Sequence, residues 1–238
     1  MKTVFYDLHI HSVLSPCADD GMTPNNIVLM AKIKGLDMIS VTDHNSACNV
    51  RVITKLCEQH GILLIPGIEI ETVEGVHLLA YVKQVDQIEE LANQIELMWG
   101  NIQNRPEFFG NQWVMNEEDE VVAEVEPLLV QSTKLTCYEV VQLIHHYQGI
   151  VIAAHINKKA HSILTHLGFI PENLLIDGVE LNASVLSQSA FKNQGADYLI
   201  LVNSDAHTLG DMSERANKME LMEKSWEGFF NYLMEGRK

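Results

Sequence analysis

Four short polar clusters lie far apart in this chain: His9-Ile10-His11, Thr42-Asp43-His44, Gly67-Ile68-Glu69 and Ser204-Asp205-Ala206-His207. Each ends a run that reads as a β-strand, and each supplies imidazole or carboxylate, the groups that hold divalent metals. Because they are scattered from residue 9 to residue 207, only a tertiary fold can gather them. Barrels and open α/β sheets collect strand ends on one face, and their active sites sit there. The pattern predicts an α/β fold with a metal-dependent hydrolytic site.

The segments between the clusters fit that expectation. Residues 4–7 form a short strand delivering His9 and His11. Thr23-Pro24 opens a helix, with Thr as cap and Pro at the first helical position, and Gly35 ends it. Strands are predicted over residues 36–42, 62–65, 68–71 and 76–82, the last two flanking a Glu74-Gly75 turn. Helical spacing marks 49–59, 85–98, 136–147 and 225–235, and further strands are predicted over 150–154, 178–181 and 198–202. This alternation points to a mostly parallel sheet. Residues 101–126 have no clean period, and the wider stretch 101–133 reads as an insertion or lid within a single domain spanning 1–238.

Composition narrows the partners. There are 32 acidic and 16 basic side chains, a formal charge of −16, which argues against wrapping long nucleic acid or lying on an anionic membrane. A small phosphate substrate stays compatible, because bound cations invert the local field. Cys17, Cys48, Cys57 and Cys137 form no Cys-x-x-Cys pair, no apolar run approaches membrane-spanning length, and residues 1–7 lack a signal-peptide core. The expectation is a cytoplasmic chain with reduced thiols. Oligomeric state is not legible.

Taken singly, each cluster has an ordinary structural explanation. If the first strand continues, His9 and His11 leave the same face and can chelate one ion. Asp43 is either a ligand or a carboxylate that orients an imidazole. Glu69 sits between Ile68 and Ile70, so its carboxylate leaves the opposite face from those apolar neighbours. His77 falls in a predicted strand and His155 directly follows one. Taken jointly, buried ionisable groups at so many strand ends are costly unless paired or metal-bound.

In order, His9-x-His11, Thr42-Asp43-His44, Gly67-Ile68-Glu69, Ala154-His155 and Ser204-Asp205-Ala206-His207 resemble the motifs of the PHP (polymerase and histidinol phosphatase) family, over nearly the whole chain. The resemblance implies a distorted seven-stranded β/α barrel, TIM-like, with two to three divalent ions (zinc, manganese or iron) at the strand ends. It implies one ion on His9, His11, Glu69 and Asp205, and a second sharing Glu69 with His77 and His155. A third would take His44, His207 and a ligand from the loop after His11. Relatives often carry Asp five residues after that histidine, where this chain has Pro16. Counting back from Thr23-Pro24 puts Asp19 in the ligand position, with Asp20 next, and with Cys17 as a thiolate that would favour zinc.

Two cations are candidate phosphate ligands. Arg105-Pro106 resembles an element near the substrate in nucleotide-acting relatives, and Lys158 closely follows His155. His145, His146, His161 and His166 have no motif support, although His161 lies within reach of the site. The resulting expectation is a phosphoesterase in which Glu69, Asp205 and His207 serve the catalytic step and a metal-activated water attacks phosphorus. A small phosphomonoester is the expected substrate. A nucleotide bisphosphate or a short oligonucleotide, trimmed 5′ to 3′, is the alternative, and a non-catalytic metal-binding module is the other class.

Overall fold

The computed structural model describes residues 1–185 and 198–235. Two sheets carry the fold. In the first, β1 (Lys2–Ile10) is flanked by β11 (Lys218–Leu221), antiparallel, and by β2 (Met38–Val41), parallel, with β3 (Leu63–Leu64) outside β2. In the second the order is β10 (Leu199–Asn203), β9 (Gly178–Asn182), β8 (Ile150–Ala153), β5 (His77–Tyr81) and β4 (Gly67–Glu71). Strands β8, β9 and β10 run parallel, whereas β5 is antiparallel to both β4 and β8. The two sheets are mostly parallel, as expected, with β5 and β11 as the antiparallel exceptions. His77 therefore opens its strand, and the reversed direction brings it to the same edge as the end of β4.

Among the described residues the ladders form two sheets, and no closed seven-stranded barrel is found. They meet through two isolated parallel bridges at opposite edges of the second sheet, Ile10 with Ala206 just past β10 and His44 with Glu69 in β4. Both bridges lie inside the polar clusters. His11 N–H donates to the Ala206 carbonyl at 2.9 Å, and Asn45 N–H donates to the Glu69 carbonyl at 2.7 Å. The rim is thus tied where the chemistry sits.

Packing explains why the histidine pair points inward. Tyr6 and Leu8 belong to an inner core with Leu79, Tyr81, Ile152 and Leu201, floored by Phe229 and Leu233 of α7 (Trp226–Glu235). Strict alternation would put Ile10 there as well. Instead the β1–β2 register shifts between Asp7 and Ile10, and Ile10 joins the outer core. The irregularity re-aims the strand, so His9 and His11 are turned into the interior, both fully buried.

The outer core lies beneath α1 (Pro24–Ile33), α2 (Val50–His60), α3 (Val85–Glu96) and α5 (Cys137–His146). Thr23 caps α1 by accepting from Asn26 N–H, with Pro24 in the first turn. Thr136 and Glu139 form a reciprocal capping box on α5. A short α6 (Ile163–Leu167) follows the His155 loop. The stretch read as an insertion carries α4 (Pro106–Phe109) and a hairpin of β6 (Trp113–Met115) with β7 (Val121–Glu124). It is closely seated: a Cβ on Gly110, at φ +105°, would lie 2.0 Å from the Pro16 carbonyl oxygen. No helix among the described residues is long and apolar enough to cross a membrane.

Candidate metal centre

Glu69 is the hub. It is almost fully buried, and imidazoles surround it. Its Oε1 lies 3.4 Å from His9 Nε2, 2.9 Å from His77 Nδ1 and 3.2 Å from His155 Nε2. Its Oε2 lies 3.4 Å from His11 Nε2 and 3.2 Å from His44 Nδ1. Asp205 Oδ1 sits 3.4 Å from His9 Nε2 and 3.3 Å from His11 Nε2, and those two nitrogens are 3.2 Å apart. Four donors at a common radius of 2.0–2.1 Å, arranged tetrahedrally, stand about 3.3–3.4 Å apart. His9, His11 and Asp205 have that spacing, and Glu69 meets His9 with one oxygen and His11 with the other. The second expected set is also together, with His77 Nδ1 3.3 Å from His155 Nε2.

The donors fit cations on chemical grounds as well. Two imidazole nitrogens facing each other at 3.2 Å cannot both carry protons toward one another. His44 Nδ1 and Glu69 Oε2 are buried without hydrogen-bond partners, an arrangement that costs free energy unless something else engages them. Burial pushes the Glu69 carboxyl up, but His77, His9 and His44 outweigh it and hold it well below the usual carboxylate range. Asp205 is likewise held well below, chiefly by His9 and His11 against burial. Burial drives His44 well below its usual value and His11 down to about 4, leaving both as lone-pair donors. His77 is opposed by burial yet raised to about 9 by Glu69 and Glu71.

The third set contains a correction. His11, His44, His207 and Cys17 place one donor atom each within 4.8 Å of one another. Asp19, expected in that position, is exposed and spends Oδ1 on the Gly21 amide at 2.8 Å. Asp20 accepts from Asn111 at 2.8 Å. The loop turns before either carboxylate can reach inward, because Ala18 N–H returns to Ser15 O and Asp19 N–H to His207 O. Cys17 is open to solvent at the rim, and desolvation together with the nearby Glu69 and Asp205 charges pushes its thiol up. A fourth group, Glu71, His77 and His161, adjoins the second set, with His161 stacked on His77 at 4.4 Å.

Supporting residues complete the site. Asp43 stands outside the donor groups: Ser12 N–H, Ser12 Oγ and Ser15 Oγ donate to it at 2.6–2.7 Å. Ser15 Oγ also meets His11 Nδ1 at 3.1 Å, so Asp43 orients that imidazole through one hydroxyl. Glu180 went unrecognised in the sequence. It is fully buried, engages His9 Nδ1 at 2.9 Å and accepts from His155 N–H at 3.1 Å. Its setting between Val179 and Leu181 is the signal Glu69 also has, but no motif surrounds it. Asn45, His155 and Asp205, all just past strand ends, hold positive φ (51°, 27° and 55°). Such strain costs about 1–3 kcal/mol per residue and clusters at functional sites.

A cavity of about 360 Å³ opens over the cluster, lined by residues including His44, Glu69, His77, His155, Asp205 and His207. Lys158 is at its wall and its ammonium pairs with Asp205 Oδ2. Arg105 is not brought there: it lies outside the cavity lining, over the Phe108 ring at 4.2 Å and paired with Glu107 at 3.3 Å.

The PHP domain profile matches residues 7–234, and the chain belongs to that family. A curated relative, an uncharacterized protein of Methanocaldococcus jannaschii, is 35% identical over 77 residues, covering 29% of this chain and 45% of the relative. Among solved structures, the fold resembles the lesion-specific endonuclease EndoQ of Pyrococcus furiosus, with a TM-score of 0.72 at 21% identity, over 96% of this chain and 55% of that one. A complex of Endonuclease Q with a 27-mer duplex carrying an abasic lesion gives a TM-score of 0.73 at 21% identity, over 98% of this chain and 57% of that one. A proposed metal-dependent phosphoesterase of Bifidobacterium adolescentis gives 0.61 at 17% identity, over 98% and 96% of the two chains. This chain thus spans little more than half of the endonuclease structures and less than half of the archaeal relative.

Proposed function

We propose that this chain is a metal-dependent phosphoesterase that hydrolyses a small phosphate ester, working as a single domain with residues 101–133 as an insertion. The observation that carries the reading is the pair of donor sets sharing Glu69 beneath one small cavity. Two to three divalent ions (zinc, manganese or iron) held there would acidify a water and neutralise charge on phosphoryl oxygens. Glu69 would serve both sets, and Asp205 with His207 would complete the neighbouring ones. Lys158 would grip a non-reacting phosphoryl oxygen, exchanging its Asp205 partner for substrate. Arg105, away from the cavity, is left out of this step.

Phosphodiesters of nucleic acid are a second reading, supported by the fold likeness to Endonuclease Q. Against it stand a formal charge of −16 and the modest cavity. Phosphate release from monophosphates and bisphosphates, compared with cleavage of short RNA and of duplex DNA containing an abasic site, separates the two. Turnover of small esters, lost in Glu69→Ala together with bound metal, supports the first reading. Retained turnover with full metal content in that variant refutes the role of Glu69. Inactivity on every substrate with added manganese would instead support a binding module.

A further inference from the structure

The geometry points to Cys17 as a thiolate ligand at the rim of the cluster, making the outermost ion position, with His44 and His207, a site of one thiolate and two imidazoles that selects thiophilic cations. The inference rests on the metal-cluster reading above. The Cys17 sulfur and one nitrogen each of His11, His44 and His207 converge within 4.8 Å. His11 serves the inner set, so Cys17, His44 and His207 make three protein donors with a fourth position open, the arrangement of catalytic zinc sites.

The loop gives the thiol little freedom. Ser15 N–H bonds Ser12 O, Ala18 N–H bonds Ser15 O, Asp19 N–H bonds His207 O and Met22 N–H bonds Asp19 O, each at 2.8–2.9 Å. Gly110 presses on the Pro16 carbonyl from the other side, with no room for a side chain. His207, itself in the set, is therefore tied through its carbonyl to the residue two positions past Cys17. The other cysteines are elsewhere: Cys57 and Cys137 are buried in the outer core, and Cys48 lines a different cavity.

A carboxylate here would suit manganese or magnesium as well as zinc. Sulfur is soft and favours zinc, or cobalt as its spectroscopic substitute. Binding proceeds with loss of the thiol proton to solvent and formation of one sulfur–metal bond.

Cobalt substitution of the full chain tests this without reference to activity. The cobalt-loaded protein is expected to show a thiolate-to-cobalt charge-transfer band in the near ultraviolet. Cys48→Ser should keep the band. Cys17→Ser should lose it along with one bound ion, and Cys17→Asp should lose the band while keeping the ion. Because Cys17→Asp preserves a ligand, it guards against a trivial folding defect. Absence of the band in the ion-loaded parent, or its survival in Cys17→Ser, overturns the assignment. Phosphoesterase activity without the band defeats this inference alone. The band without activity defeats the hydrolase reading alone.

Discussion

Glu180 reaches His9 Nδ1 at 2.9 Å, on the side of the ring opposite the nitrogen that faces Glu69 and Asp205. A carboxylate behind a ligating imidazole fixes its tautomer and raises its basicity. The same carboxylate accepts from Asn203 Nδ2 at 2.9 Å and from His155 N–H, so it braces three strands at once. Glu180→Gln should weaken metal binding about 10–100-fold while leaving the far-ultraviolet circular dichroism unchanged. Isothermal titration with zinc reads this, and parental affinity in the variant would dismiss the role.

Stripping the metal should destabilise the fold, because buried imidazoles and carboxylates then face one another uncompensated. A ligand present at a hundred times its dissociation constant contributes about 2.7 kcal/mol. For a domain of this size that corresponds to a melting-temperature drop of about 5–10 °C on chelation, reversed by zinc. Unchanged melting after elemental analysis confirms metal loss would contradict a cluster of cation sites.

A substitution at Lys158 would separate the proposed substrate binding from metal binding. Its ammonium pairs with Asp205 and stands at the cavity wall, one-third exposed. Lys158→Met should raise KM for a phosphomonoester about 10–100-fold, the worth of one hydrogen bond to a charged group. Bound metal should be equal or greater, since a competing cation has been removed. Loss of metal from the variant would mean the lysine supports the cluster rather than the substrate.

Asp43 supplies a pH signature. Burial pushes its carboxyl up to about 6, and hydrogen bonds from Ser12 and Ser15 pull it down only in part. A carboxyl that holds its proton more tightly when folded stabilises the fold most below its unfolded value, about 4. That contribution is lost as pH rises through about 6. Asparagine cannot titrate, so the stability of the parent minus that of Asp43→Asn should fall between pH 4 and pH 7. Denaturant midpoints of both proteins across this range test it, and a flat or rising difference would exclude the shift.

Much of the site was legible because the relevant signals are local. Glu69 shows itself as a carboxylate between Ile68 and Ile70, and His155 as an imidazole directly after an apolar strand. Glu180 has the same flanking pattern but stands alone, and only the packing of β9 beside β8 and β10 gives it His9 as a partner. Counting along the loop favoured Asp19, yet backbone bonds to Ser15 and His207 turn that carboxylate outward and leave Cys17 at the cluster. His77 looked like an ordinary strand residue because residue order does not reveal that β5 runs antiparallel.

By itself, the sequence determined which groups would be buried and which donors the strand ends would carry. Burial pattern and residue chemistry are properties of short segments. Tertiary structure alone decided which donors come together. The Ile10–Ala206 and His44–Glu69 bridges set distances between residues remote in the chain, and a register shift in β1 turns the first histidine pair inward. Such distances depend on how two sheets meet, and no local pattern encodes them.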